Sequence, residues 1–198
     1  MPTAQEVIKE AVSSLHGRHM KGLGFRKEGN TWIRGSRWPQ LINIQLSSSN
    51  TSDEARITMN LGVFVEELRQ ALGESPLKGK LKEYDCSPQV RIGRLRADGQ
   101  DHWWMVTPST APDALAEELF AEIAGRGIPW LESLDSFEGL AREFEKEKTH
   151  FKAAVAFHLA GIPIEAEARM AEAAASANEY FRPKLLRIAR SLAIPIQA

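Results

Sequence analysis

The sequence predicts an α+β fold: an N-terminal helix packed on a mainly antiparallel sheet of five or six strands, followed by a helical C-terminal half. Two observations carry this. The hydrophobic period changes from 3.6 residues to 2 near residue 24, and back to 3.6 near residue 108. The turns dividing the period-2 segments are also short, which demands antiparallel neighbours because a parallel crossover needs a dozen or more residues.

Val7, Ile8, Val12 and Leu15 recur at helical spacing from residue 3 to about 20, and Gly22 and Gly24 stop the helix. Glu28-Gly29-Asn30 leads into a short strand, Thr31-Trp32-Ile33-Arg34, which Gly35-Ser36-Arg37 closes. Ile42, Ile44 and Leu46 then alternate with Asn43, Gln45 and Ser47. Ile57, Met59, Leu61, Val63 and Val65 alternate with Thr58, Asn60, Gly62 and Phe64, so each set gives a strand one apolar and one mainly polar face. A short helix near Glu66 to Leu72 and a loop with Lys78, Lys80 and Lys82 precede two further strand-like runs, Gln89 to Leu95 and His102 to Val106. The residues from Ala97 to Asp101 read as a hairpin loop between these runs. Beyond Pro108 the pattern is helical. Thr110 with Asp113 suggests a capped start, and Leu115, Leu119, Phe120 and Ile123 form an apolar stripe ending at Gly125 and Gly127. Phe137, Leu140, Ala141 and Phe144 form a second stripe, which puts Glu143, Glu145 and Glu147 on an outward face. Helices follow around Thr149 to Ala160, Pro163 to Ala177 and Arg182 to Ala193. The division expected is residues 1–108 as helix plus sheet and residues 109–198 as a helical region packed on that sheet in one compact unit.

The composition bounds the function. The chain has 198 residues, 43% of them hydrophobic and 26% charged, enough to bury a sizeable core without disulfide or metal. The 25 Lys and Arg nearly balance 26 Asp and Glu, which disfavours a nucleic-acid partner that must be held by phosphate neutralisation. Cys86 is the single cysteine, no signal-peptide pattern opens the chain, and no apolar run approaches a spanning helix; the expectation is a cytoplasmic protein without membrane contact. Charge is segregated. Residues 113–147 carry ten carboxylates against three basic side chains, whereas residues 180–198 carry Arg182, Lys184, Arg187 and Arg190 with no acid.

No catalytic constellation emerges, and neither a cofactor nor a metal is expected. The glycine-rich stretch at residues 22–29 leaves a helix and enters a strand, the reverse of a phosphate loop, so it reads as a turn. His16 and His19 lack the further ligands that zinc requires. Cys86 stands among acids, which raise a thiol pKa. Binding residues are easier to nominate. Trp32 with Arg34, Trp38, Arg91, and the adjacent Trp103 and Trp104, which must point to opposite faces, give the sheet aromatic and guanidinium anchors. Glu117, Glu118 and Glu122 would steer a basic partner. Another protein is the expected partner; the alternative is an anionic small molecule held where Arg34, Arg91 or Arg94 meets His102.

Several of these segments together resemble a family. Gly24-Phe25-Arg26-Lys27-Glu28-Gly29-Asn30-Thr31-Trp32, then Leu41-Ile42-Asn43-Ile44-Gln45, Met59-Asn60-Leu61-Gly62-Val63-Phe64, Arg91-Ile92-Gly93 and Trp103-Trp104 stand in an order similar to the bacterial domain-of-unknown-function family numbered 4304, over roughly residues 5–145. The resemblance implies a small cytosolic bacterial protein without an established activity, in some cases linked to toxin immunity. It carries over no catalytic residue.

Overall fold

The computed structural model describes residues 2–196. These residues fall into two compact units: one built from the chain up to Phe64 together with Lys82–Glu132, the other from Val65–Leu81 and the chain from Ser133 onward.

The first unit begins with α1 (Ala4–Leu15). Thr3 caps it reciprocally: its hydroxyl accepts from the Glu6 N–H and its own N–H donates to the Glu6 carboxylate. Val7, Ile8, Val12 and Leu15 are buried as their spacing requires, and the helix then widens to one π-helical turn at His16–Met20 before Gly24 takes a φ of 80°. The sheet follows as β1 (Arg26–Glu28), β2 (Thr31–Arg34), β3 (Gln40–Leu46), β4 (Ala55–Val63), β5 (Gln89–Arg91) and β6 (Trp104–Val106), every pairing antiparallel. The strand β1 lies inside the stretch that reads as a turn in the sequence; only its pairing with β2 makes it a strand.

The sheet runs β1-β2-β3-β4, and the free edge of β4 is shared end to end by β5, opposite Asn60 to Gly62, and β6, opposite Ala55 to Ile57. The expected hairpin between the last two strands is therefore corrected: β5 and β6 do not pair with each other. The run from Gln89 leaves the sheet after Arg91 as a tight 3-10 turn, Ile92–Leu95. Gly93 makes this possible, since a Cβ there would lie 2.5 Å from the His102 backbone nitrogen and 2.6 Å from the Gln100 carbonyl oxygen.

One face of the sheet forms the core. Trp32, Ile42 and Leu61 lie opposite one another across three strands, fully buried, with Ile44, Met59, Ile57 and Trp104 beside them. Helix α3 (Pro112–Glu122) packs along α1, and α4 (Ile128–Glu132) packs on β4. Two expectations about α3 are corrected. Its N-cap is Ala111 with no side-chain cap, because Thr110 turns back to accept from the Thr107 N–H while Asp113 accepts from Ser14 and pairs with Arg18. Nor do Gly125 and Gly127 end the helix: a π-helical turn, Ile123–Gly127, carries it straight into α4. The Gly127 position sits so tightly on Leu61 that a Cβ would approach its Cδ2 to 2.8 Å.

The second unit is helical: α2 (Glu66–Ala71), α5 (Phe137–Lys146), α6 (His150–Leu159), α7 (Pro163–Ser176) and α8 (Arg182–Ser191). Here α5 packs on α6 and α6 on α7, and Ala166, Ala173 and Ala174 give α7 the close approach their small side chains allow. Glu143 does not face outward as expected. It lies beside Phe144 and one turn from Leu140, so the apolar stripe of α5 draws it to 8% exposure, with its carboxylate accepting from Lys146.

Gly62 shows how tightly β4 is enclosed, since a Cβ there would fall 2.4 Å from the Cys86 Cβ. Gly62→Ala is expected to lower the unfolding free energy by about 1–3 kcal/mol in urea titrations, and Cys86→Gly in the same chain to recover part of the loss.

Candidate functional site

The second face of the sheet carries a polar row beside a buried one, in which Leu41 lies opposite Ile33 and Gly62. The strand register places Thr31, Asn43, Asn60 and Arg91 opposite one another in a single row over β2, β3, β4 and β5. Residues directly opposite in adjacent strands share a face, so this row stands on the side away from Trp32 and Leu61. The carboxamides brace each other: Asn43 donates to the Thr31 hydroxyl at 2.9 Å, and Asn60 donates to the Gln45 side-chain oxygen at 2.9 Å.

At the β5 end of the row the surface turns aromatic and cationic. Arg91 ion-pairs with the Asp101 carboxylate, its guanidinium lies 5.3 Å from the centre of the Trp103 ring, and the Trp103 indole N–H donates to the same Asp101 oxygen at 3.2 Å. One carboxylate thus fixes both a guanidinium and an indole, each of which keeps a surface available for stacking. Arg91 also lines a cleft of about 470 Å³ with Gln45, Asn60, Gln89, Val90, Glu83 and Tyr84. Tyr84 rides on a short 3-10 turn, Glu83–Asp85, and is 71% exposed. Hydrogen-bonding carboxamides beneath an exposed phenol and a braced Arg–Trp pair can bind an extended polar segment; they offer no nucleophile poised beside a base.

The residues nominated from sequence divide between three places. Arg91 and Trp103 reach the polar face. Trp32 is fully buried in the core, its indole nitrogen without a hydrogen-bond partner among the described residues. Trp104 is buried too, donating to Glu118 at 2.9 Å with its ring edge-on to His102. Trp38 sits at the β2–β3 turn with the Arg37 guanidinium over its ring. Arg34 donates to Gln40 at 2.6 Å, pairs with Glu132 at 3.3 Å and lies over Phe25. The cations do not converge on His102: Arg34 and Arg91 have the partners given, Arg94 donates to the Gly99 carbonyl at 2.9 Å, and it is Arg96 that contacts His102.

The carboxylates of α3 are engaged within the chain. Glu117 takes Arg18 at 3.3 Å and His19 at 3.0 Å, the His19 ring stacking at 3.8 Å on Phe120. Its carboxyl is held below the ordinary range first by the His19 hydrogen bond and then by Arg18. Glu122 pairs with Arg96 at 2.9 Å and Arg126 at 3.0 Å. Asn43, Gln45 and Asn60 were visible in the sequence as polar alternates but not as one surface. Only the register aligns Asn43 with Asn60, and no signal marked Asp101 or Tyr84.

Among the described residues, no group of three or more His, Cys, Asp or Glu is placed to hold a metal ion. No helix among them is long and apolar enough to cross a membrane.

The fold and the polar face define an α+β domain built on one six-stranded antiparallel sheet, with helices on one side and hydrogen-bonding side chains on the other. Residues 17–133 match the family described as a domain of unknown function (DUF4304), and the chain belongs to that family. The matched region spans every strand of the sheet together with α3 and α4, and stops short of the 5–145 expected at both ends. No curated protein and no solved structure matches the chain.

Cys86, a free cysteine, is buried against Gly62. Burial first, then the charges of Asp85 and Glu83, push its thiol up to about 12. A raised folded pKa means that above about pH 9 the unfolded chain loses this proton while the native one keeps it, so the thiol's contribution to stability falls as pH rises towards 12. Relative to Cys86→Ala, the native protein is expected to lose up to about 1 kcal/mol per pH unit in that window, read from urea midpoints. At pH 8 its thiol should react with a disulfide reagent roughly a hundredfold faster in urea than when folded.

Proposed function

We propose that this protein is a non-enzymatic binding module, of the immunity or adaptor kind, which recognises another protein through the polar face of its sheet. In keeping with the family resemblance we place it in the bacterial cytoplasm. The observation that carries the reading is the Arg91–Asp101–Trp103 brace at the end of the Thr31–Asn43–Asn60–Arg91 row. Arginine and tryptophan are the side chains most often found at the energetic centre of protein interfaces, and holding both in place before contact reduces the ordering cost of binding. The carboxamides supply donors and acceptors to a partner's backbone or polar side chains.

The acidic helix supports this reading less directly. Glu117 and Glu122 already face arginines of their own chain and Glu118 faces Trp104, so these carboxylates hold α3 to its neighbours and leave less net field for steering.

Affinity capture from the cells of origin, read by mass spectrometry, tests the proposal. A protein retained by the native chain should fall by roughly tenfold or more with Arg91→Glu or Trp103→Ala, as loss of an interface anchor worth about 2 kcal/mol requires. It should persist with Glu167→Lys on α7. Undiminished capture by both sheet variants, with their urea midpoints unchanged, would remove the sheet face from recognition.

A further inference from the structure

The second unit contains a cavity that the sheet face does not involve. At the end of α5, Lys148 adopts the left-handed conformation, φ 57°; its N–H bonds to the Glu145 carbonyl and the Thr149 N–H to the Phe144 carbonyl, each at 2.9 Å. This reversal sends the chain into α6. At the end of α7 a second reversal is made by Asn178, whose side-chain oxygen accepts from the Phe181 N–H at 2.9 Å. The two reversals together bound a cavity of about 350 Å³.

Its lining is divided. Phe151 and Phe181, edge to face at 5.2 Å, with Ala173 and Ala177, make an apolar wall. Lys148 and Lys152 bring cations, and Ser176 and Asn178 bring polar groups. Asn178 spends its oxygen on Phe181, which leaves its amide hydrogens as donors. The Lys148 ammonium has no hydrogen bond or ion pair among the described residues. The carboxylate of Glu172 is engaged by Arg169 at 2.6 Å and faces the His150 Nδ1 at 2.9 Å, so it does not neutralise Lys148, while the Lys152 ammonium lies 5.6 Å from the centre of the Phe144 ring. An aromatic wall bordered by the Lys148 ammonium, the Lys152 side chain and an amide donor suits a ligand with an apolar part and one negative charge, and the volume suits a group about the size of one amino acid.

We propose that this cavity binds a carboxylate bearing an aromatic or bulky apolar group, the apolar part seated against Phe151 and Phe181 and the carboxylate facing Lys148, Lys152 and Asn178. Such a group exists as a free acid or as the C-terminal residue of a peptide chain. The inference is independent of the sheet-face reading and stands if that reading fails.

The test is a titration of the ¹⁵N-labelled full chain with N-acetylphenylalanine to about 10 mM, the weak range expected of so small a ligand. Saturable shift changes are expected at residues 148–152 and 173–181. N-acetylphenylalaninamide, of the same shape without the charge, should bind roughly tenfold more weakly. Lys152→Gln should weaken binding of the acid. So should Lys148→Gly, although glycine suits the left-handed position and should keep or raise the thermal midpoint, which separates lost binding from lost folding. A pentapeptide ending in phenylalanine distinguishes the sources: tighter binding than the acetylated residue identifies a chain end, and equal binding a free acid, either outcome upholding the carboxylate site. Absence of saturable shifts, amide binding equal to the acid, or unchanged affinity in both lysine variants would overturn it.

Discussion

Strand β4 is the constraint on which the first unit depends. Among the described residues it alone pairs with three other strands, with β3 along residues 57–63 on one side and β5 and β6 in succession on the other. Its two faces have opposite tasks. Ile57, Met59 and Leu61 point into the core; Asn60 points into the cleft, and Gly62 lets Cys86 press against the strand. Because side chains alternate with a period of two, a register shift of one residue would put Asn60 in the core and Leu61 in the cleft. Burial of the apolar set therefore fixes the polar row on the other side, and the chemistry of the open face follows from the hydrophobic effect acting on its reverse.

That coupling explains which parts of the molecule were legible in sequence. The alternation in residues 42–46 and 57–63 and the stripes on α1, α3 and α5 identified most of the buried set, since period and burial express the same physics, but Leu46 is exposed and Thr58, Gly62 and Glu143 are buried against the pattern. Long-range geometry was not legible. Gln89 to Leu95 alternates like a strand, yet the close approach of the Gln100–His102 backbone to Gly93 turns it out of the sheet after Arg91. Glycines at 125 and 127 read as a helix end, but one is needed where the helix rides against Leu61, and a widened turn absorbs both. The candidate site was half visible: Arg91 and Trp103 stood out by type, whereas Asp101, which joins them, looked like any acidic loop residue.

The same distinction governs the charges. A linear count finds a strongly acidic segment at residues 113–147, but Arg18, Arg34, Arg96 and Arg169, all from outside that segment, pair with its carboxylates. Much of the apparent field is thereby spent on holding the chain's own elements together, as partly exposed pairs of this kind do modestly and in sum. What remains open to recognition is a surface of low net charge with stacking and hydrogen-bonding groups, where specificity comes from geometry more than from steering.

The most direct measurement of the central claim, that the polar sheet face is the recognition surface, is site-specific photocrosslinking in the cells of origin. A photoreactive amino acid in place of Tyr84, the exposed ring at the cleft, should give one discrete protein adduct that disappears when Trp103→Ala is added. The same group in place of Tyr180, which is more exposed still and lies in the second unit, should not give that adduct. An adduct from Tyr180 alone, or one from Tyr84 that survives the loss of Trp103, would contradict the account.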